Sequence, residues 1–341
     1  LRAATIPPRR SFAAALRIPS APPPGARAAF LVILRSPPIL RRRCTGRNPR
    51  RDAHMGHATP PAAQPPELRL LTATPHPALH AHAVQYLQFC CELPAGAALC
   101  NRVGAVPGPT VALLWSGEVQ VLDVGGRDVA VGRLVLSGPL PRWRDHRYAG
   151  AVRAFFVQLT ATGAALLDAA CAGLADSAPA LTDVAGAGLG PRVHSWADEV
   201  MHARDFAERT AATDRFLLAR LARLRRPAPD VAAAAAAHIA RAHGCCRISA
   251  LGAELGVSER TLRRRFYQQA GLSLKRFARI VRFRQAHALL TRTPGATWAD
   301  AVARLGYVDQ AHLIHEFQEF AGQPPSRLDP AARALDSVLQ T

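Results

Sequence analysis

The sequence has no apolar run long enough to cross a bilayer and almost no lysine. Uninterrupted apolar runs such as residues 28–34 reach seven residues, whereas a transmembrane helix needs about 20, so we expect no membrane-spanning segment. Lys275 is the one lysine among 43 basic residues. Aromatic residues make up only 6% of the chain, but hydrophobic residues make up 49%. This is enough apolar material for folded cores, which excludes a wholly disordered protein.

The motifs of common enzyme and metal sites are also missing. The chain has no Cys-x-x-Cys, His-Glu-x-x-His, Gly-rich phosphate loop, Gly-x-Ser-x-Gly or paired-carboxylate pattern. His76, His80 and His82 stand near Cys90 and Cys91, but not at a metal-ligand spacing. We therefore predict no catalytic residue, no metal and no cofactor. Because no secretory signal is recognisable, the seven cysteines are expected to be reduced thiols in a cytoplasmic protein.

Acidic residues are scarce, and the basic ones are concentrated in two places. Residues 1–54 contain 12 Arg and one acid, whereas residues 55–230 are nearly neutral. Residues 231–341 contain 15 basic and 8 acidic residues, and within them residues 244–306 contain 12 basic and three acidic ones. A strongly basic, helical segment indicates a polyanionic partner, and we predict double-stranded DNA.

Composition divides the chain into three parts. Residues 1–66 are rich in Pro and Arg and have no sustained apolar period, so we expect a disordered basic extension. Met55 is a candidate translation start within it, and an organelle transit peptide is the other interpretation of an arginine-rich, acid-poor leader. Residues 67–226 form the second part and residues 230–341 the third, with a proline-containing break between them.

The middle part carries strand patterns followed by helix patterns. Short runs of Val, Leu, Phe and Trp are broken by Gly and Pro, and Ser116-Gly117 and Gly125-Gly126 suit hairpin turns. The runs predict strands at residues 84–91, 110–115, 118–124, 128–136 and 151–159, and helices at residues 164–172, 192–202 and 205–224. We expect residues 67–226 to be a β-rich sensor or dimerisation domain ending in a helical connector, and the whole chain to have an α+β fold.

A helix-turn-helix pattern follows the break. Leu251 lies in an apolar period that stops at Gly256, and Ser258 stands where the N-cap of the next helix is expected. Leu262 and Phe266 face back toward the first helix. Guanidinium groups on the outer side of such a helix suit guanine edges and phosphates in a major groove. The side chains left outside are Glu259, Arg260, Arg263, Arg264 and Gln268.

The same pattern recurs about fifty residues later. Thr297 caps a helix that ends at Gly306, and Asp309 caps a second helix in which Leu313 and Phe317 take the inward positions. One long helix joins the two motifs. Such a bihelical unit would place two recognition helices in successive major-groove segments, roughly 34 Å apart.

These motifs resemble the AraC/XylS family of bacterial transcription regulators. The matching segments are ISALGAELGVSERTLRRRFYQQAG (248–271), KRFARIVRFRQAHALL (275–290) and LGYVDQAHLIHEFQEFAG (305–322). The resemblance implies an all-α double helix-turn-helix DNA-binding domain over residues 230–341. It also implies a transcription factor that binds operator DNA, contacts RNA polymerase, responds to a small-molecule effector and forms a homodimer.

The family resemblance also implies which residues face the DNA, and it implies a difference between the motifs. We expect the first motif to be the main base reader, because the outward positions of the second offer at most one base-edge donor and residues 307–341 carry a net charge of −3. Two other interpretations stay open: a DNA-repair-type enzyme with a reactive cysteine, and a non-specific architectural DNA binder. The candidate DNA-binding residues are Ser258, Glu259, Arg260, Arg263 and Arg264 in the first motif, and Gln310, Ala311, Ile314 and His315 in the second.

Overall fold

An antiparallel sheet forms the first half of the chain and a set of helices the second half, as the computed structural model shows. The structure describes residues 30–34, 68–122, 128–169, 171–172, 174, 181–183, 191–224, 230–293 and 295–324. The α+β class expected from the sequence is confirmed. The pair Gly125-Gly126 and the residues between positions 224 and 230 lie outside the described residues.

Nine described strands form one sheet in which every pairing is antiparallel. The central strand, β8, pairs with β3 along its C-terminal half, with β4 along its N-terminal half, and with β5 on its other edge. The sheet order is β1-β2-β3-β8-β5-β7-β9, with β4 on β8 and β6 on β5. The strands are β1 (Phe30–Leu34), β2 (Leu68–Ala73), β3 (Ala83–Glu92), β4 (Ala98–Val103), β5 (Thr110–Leu122), β6 (Asp128–Ala130), β7 (Leu134–Ser137), β8 (Arg144–Leu159) and β9 (Leu181–Asp183).

Strand β1 lies inside residues 1–66, where we expected no structure. It pairs with β2 from Phe30 opposite Thr72 to Leu34 opposite Leu68. Its sequence, FLVIL, is a short apolar run with β-branched residues, which suits an added edge strand. The rest of the expected basic extension lies outside the described residues.

The hairpin turn predicted at Ser116-Gly117 is wrong, because β5 runs through this point as one strand. Its register against β8 shifts between Leu114 and Glu118. Gly117 has φ +76°, and a Cβ at this position would lie 2.6 Å from Val152 Cα. Gly117 therefore lies in a β-bulge at which the backbones of β5 and β8 approach closely. A bulge bends the strands but does not reverse the direction of the chain.

Two helices cover one face of the sheet. They are α1 (Pro191–His202) and α2 (Phe206–Leu221). Trp196 of α1 stacks on Phe216 of α2 with ring centroids 4.9 Å apart. Tyr86 of β3 donates a hydrogen bond of 2.7 Å to the buried Asp214 of α2. The helix predicted at residues 164–172 is a 3-10 turn, Gly163–Leu167, whose Leu166 and Leu167 pack in the core beside these helices.

Six helices follow in the C-terminal part. They share one core in which Phe266, Phe283 and Phe317 are fully buried. In the described part of the chain, none of the helices is both long enough and apolar enough to cross a membrane. The helices are α3 (Val231–Arg241), α4 (Ile248–Glu254), α5 (Glu259–Ala270), α6 (Leu274–Arg292), α7 (Trp298–Leu305) and α8 (Gln310–Ala321).

The end of α8 is attached to the sheet by two neighbouring stretches, residues 102–106 and 140–144, which we call the docking segments. The Ala105 N–H donates to the Phe320 carbonyl at 2.8 Å, and Arg102 donates to the Gly322 carbonyl at 3.2 Å. The Arg102 guanidinium also lies over the Trp143 ring, 3.9 Å from its centroid. The sheet and the second helix-turn-helix are thus in direct contact.

Candidate nucleic-acid interface

The first helix-turn-helix is built around a tight turn between α4 and α5. A Cβ on Gly252 would lie 2.9 Å from the Val257 carbonyl oxygen, and Gly256 has φ +68°, so both glycines are required by the backbone. The Ser258 hydroxyl accepts a hydrogen bond of 3.2 Å from the Thr261 N–H. The N-cap predicted from the sequence is confirmed, and this fixes where the recognition helix begins.

The inner side of α5 is held by an apolar core. Leu251, Leu262 and Phe266 are completely buried, and Phe266 packs edge-on against Phe277 of α6 with centroids 5.3 Å apart. Burial of such side chains contributes about 1.5–3 kcal/mol each. The orientation of α5, and hence of its outer face, is therefore set by packing.

The outer side of α5 presents charge to solvent. Glu259, Arg260, Arg263 and Arg264 are all exposed. Glu259 pairs with Arg263 one helical turn later at 2.5 Å, and both side chains remain largely in water. An exposed pair of this kind contributes little stability, so it can be exchanged for a phosphate or a base edge. Ser258, also exposed, uses its hydroxyl for the cap.

The second helix-turn-helix has the same local construction. Thr297 and Asp300 form a capping box at the start of α7, and the hydrogen bonds that Thr297 donates lower the pKa of Asp300. Gly306, with φ +63°, ends α7. Asp309 accepts a hydrogen bond of 2.7 Å from the His312 N–H and so caps α8. The predicted caps of this motif are confirmed.

The outer side of α8 is less charged than that of α5. Gln310, Ala311 and His315 are exposed, and Ile314 is half-buried. Val308, in the turn just before α8, is 84% exposed. Sequence reasoning missed Val308, although an apolar residue in a turn that usually carries small polar side chains was a visible signal.

The acidic residues of the second motif are neutralised inside the protein. Glu316 accepts a hydrogen bond of 2.8 Å from Arg279, and Glu319 is paired with both Arg276 and Arg279. Burial of Glu319 opposes its ionisation, but the hydrogen bonds and charges of these two arginines outweigh burial and lower its pKa. Two of the acids behind the expected local charge of −3 are therefore not presented to DNA. The same pairing removes two arginines of α6 from the free positive surface.

Three of the described cysteines are buried or half-buried and have a raised pKa. Burial raises the pKa of Cys91 and of Cys171 to about 11, which is the opposite of what a nucleophilic thiol needs. Burial also raises the pKa of Cys246. Among the described residues, no three His, Cys, Asp or Glu side chains are placed to hold a metal ion.

One family model and several solved structures are similar to this chain. Residues 251–329 match a family model described as a helix-turn-helix domain, while no curated protein matches the chain. Similar solved structures include ToxT from Vibrio cholerae, with 10% identity over 67% of this chain and 96% of that one and a TM-score of 0.39. ToxT from Vibrio cholerae bound to unsaturated fatty acid is 10% identical over 67% of this chain and 93% of that one, with a TM-score of 0.34. The AraC-like transcriptional activator CuxR is 18% identical over 70% of this chain and 86% of that one, with a TM-score of 0.27.

Two capped helix-turn-helix motifs joined by one long helix define a DNA-binding protein. Residues 251–329 match a helix-turn-helix domain. This part of the chain is accordingly a DNA-binding unit.

Proposed function

We propose that the protein recognises its operator mainly through α5 of the first helix-turn-helix. The observation that supports this is the set of exposed guanidinium groups on that helix, which includes those of Arg260, Arg263 and Arg264. An arginine can donate two parallel hydrogen bonds to the O6 and N7 of guanine. The corresponding face of α8 offers the His315 imidazole.

The internal ion pairs support the same division between the two motifs. Arg276 and Arg279 lie on the helix that joins the motifs, but their guanidinium groups are committed to Glu316 and Glu319. The free arginines therefore lie mainly on the first motif. A basic surface concentrated there is expected to anchor the protein on phosphates as well as to read bases.

The test is to select bound sequences from a random duplex library with the wild-type chain, Arg263→Ala and Arg264→Ala. The wild type should enrich sites with guanines in one half, and each variant should lose the guanine preference at one position. If the wild type enriched no sequence, the protein would be an architectural binder and the proposal would be wrong. If the variants kept every guanine, α5 would not be the main reader.

A cavity inside the sheet favours a second function, the binding of a small-molecule effector. It measures about 130 Å³ and is enclosed by β3, β5 and β8, with side chains such as Leu87, Phe89 and Phe156 on its walls. Arg144 and His146 supply polar groups at one side. Burial and the neighbouring Arg144 lower the pKa of His146 to about 4, against the opposing effect of Asp145, so the imidazole is neutral near pH 7.

The position of the cavity connects it to the DNA-binding part. Val103, Val106 and Leu140 line the cavity, and they belong to the docking segments that hold the end of α8. We infer that a small, largely apolar effector enters this cavity. Ala154 also lines it, so Ala154→Phe should fill the space and abolish any ligand-induced rise in the melting temperature while leaving the protein folded. A ligand that still stabilised this variant would bind elsewhere.

The remaining features are proposals that follow from the class. We propose a sensor unit over residues 67–226 and a DNA-binding unit over residues 230–341, acting as a homodimer in the cytoplasm and in contact with RNA polymerase. A dimer would double the number of helix-turn-helix motifs on one operator and raise the affinity through effective concentration. Analytical ultracentrifugation of the free protein and of its DNA complex tests the dimer.

A further inference from the structure

The second recognition helix presents apolar side chains where the first presents guanidinium groups. Val308, Ala311 and Ile314 follow one another at intervals of three residues, from the turn onto the first turns of α8. Val308 is 84% exposed, Ala311 is exposed and Ile314 is half-buried. Residues three apart on a helix lie on the same side, so Ala311 and Ile314 share one side of α8 near His315, and Val308 lies exposed in the turn just before the helix. We call these three side chains the apolar row.

The polar groups next to this row are used within the protein. The carboxylate of Asp309 caps α8 by accepting from the His312 N–H at 2.7 Å. The Nδ1 atom of His312 accepts from the Val308 N–H at 3.4 Å, and its Nε2 atom lies 3.8 Å from an oxygen of the buried Glu316. These interactions fix the turn and engage the Asp309 and His312 side chains within the protein. The Val308 side chain remains exposed just before the N-terminus of α8.

The exposed apolar row lies where a recognition helix meets base edges. The N-terminal residues of the second helix of a helix-turn-helix contact the major groove. The one apolar group that bases present there is the C5 methyl of thymine, which apolar side chains contact directly. An arginine row and an apolar row therefore suit different base pairs.

We propose that the second helix-turn-helix reads thymine methyl groups through Val308, Ala311 and Ile314. This proposal rests on the proposed function, in which both motifs enter the major groove. It assigns the two motifs complementary specificities: guanines contacted by α5 and thymines contacted by α8, in segments about one helical turn apart. The second motif then contributes specificity without an arginine.

Deoxyuridine tests this directly, since it differs from thymidine only by the missing methyl group. A site is first selected with the full-length wild type, and each thymine is then replaced singly by deoxyuridine. Replacement of a thymine contacted by α8 should weaken binding about fourfold, as expected for one buried methyl-sized group. Replacement of thymines in the half contacted by α5 should have little effect.

A double-mutant cycle assigns the methyl contact to its side chain. Val308→Ala is suitable because the side chain is exposed and its loss should not affect folding. This variant should bind the thymine site several-fold more weakly and should no longer distinguish thymine from deoxyuridine at one position. Arg264→Ala is the matched control, which should lose guanine preference and keep full sensitivity to deoxyuridine. Ile314→Ala should remove the sensitivity at a neighbouring position.

The outcomes separate this inference from the function on which it rests. If the wild type selects a guanine-containing site but deoxyuridine is neutral at every thymine, the inference is wrong and the proposed function stands. If no sequence is selected, the proposed function itself fails. If Val308→Ala leaves binding to the thymine site unchanged but weakens contact with RNA polymerase, the apolar row is a protein-binding surface and the inference is overturned.

Discussion

A guanidinium group can donate two parallel hydrogen bonds to one guanine, whereas an imidazole cannot. Arg263→Ala and Arg264→Ala should each lower operator affinity by about 1–3 kcal/mol and relax specificity in one half of the site. His315→Ala should cost less. Fluorescence anisotropy on operator and scrambled DNA at fixed salt measures both effects. Arg223→Ala, which removes an exposed arginine outside the motifs, is the control. A greater loss of specificity in His315→Ala than in either arginine variant would contradict the assignment.

His146 should make the stability of the protein depend on pH. Its pKa is lowered from 6.5 to about 4 in the folded chain. Between pH 4 and pH 6.5 the unfolded state therefore binds more protons than the folded state does. The stabilising contribution is complete above about pH 6.5 and is lost as the pH falls toward 4. The wild type should lose up to about 3 kcal/mol more unfolding free energy over this range than His146→Gln. Urea denaturation at several pH values measures this, and equal losses in both proteins would refute it.

The cap at Asp309 determines where α8 starts. Asp309→Ala removes the acceptor for the His312 N–H and should lower the unfolding free energy by about 1 kcal/mol. Asp309→Asn keeps a capping oxygen and should lose much less. Calorimetry compares the two variants. The Ala variant should also bind the thymine half of an operator more weakly; a fully stable Ala variant would show that packing alone fixes this helix end.

The helices of the C-terminal part could be predicted closely from the sequence because their signals are local. Ser258, Thr297 and Asp309 cap helices as expected, and Gly256 and Gly306 end them. A cap and the residues that it serves are at most three positions apart, so a single chain contains the whole signal. The exposure of the arginines on α5 could be predicted in the same way from the apolar period.

The sheet could be predicted only in part because strand partners are distant in sequence. Strand β4 has no strong apolar alternation and is defined by its pairing with β8, so it was missed. Gly117 suits both a turn and a bulge, and only the opposing Val152 decides between them. The pairing of Glu316 and Glu319 with arginines some forty residues away likewise needs the folded structure, because the net charge of a segment does not show which of its acids are paired.

The docking segments should keep the two halves of the molecule together even when the chain between α2 and α3 is cut. With a protease site inserted between these helices, the fragments of the wild type should co-elute in gel filtration. Arg102→Ala removes the bond to the Gly322 carbonyl and the contact with Trp143, and should allow separation. Arg147→Ala, on the neighbouring strand β8, is the control and should co-elute. Wild-type fragments that separated at once would show that these contacts do not hold the halves together.

Arg102 and Gly322 are 220 positions apart in the chain, so the ribosome makes Arg102 long before it makes Gly322. At roughly 5–20 residues per second, about 8–33 s pass between the emergence of Leu159, the last residue of the central strand β8, and the arrival of the helix end that covers the sheet. The newborn sheet must remain folded over that time with Trp143 and Ala105 uncovered. Chaperones that bind nascent chains therefore have an interval in which this surface is accessible, and slow codons between positions 159 and 322 would lengthen it.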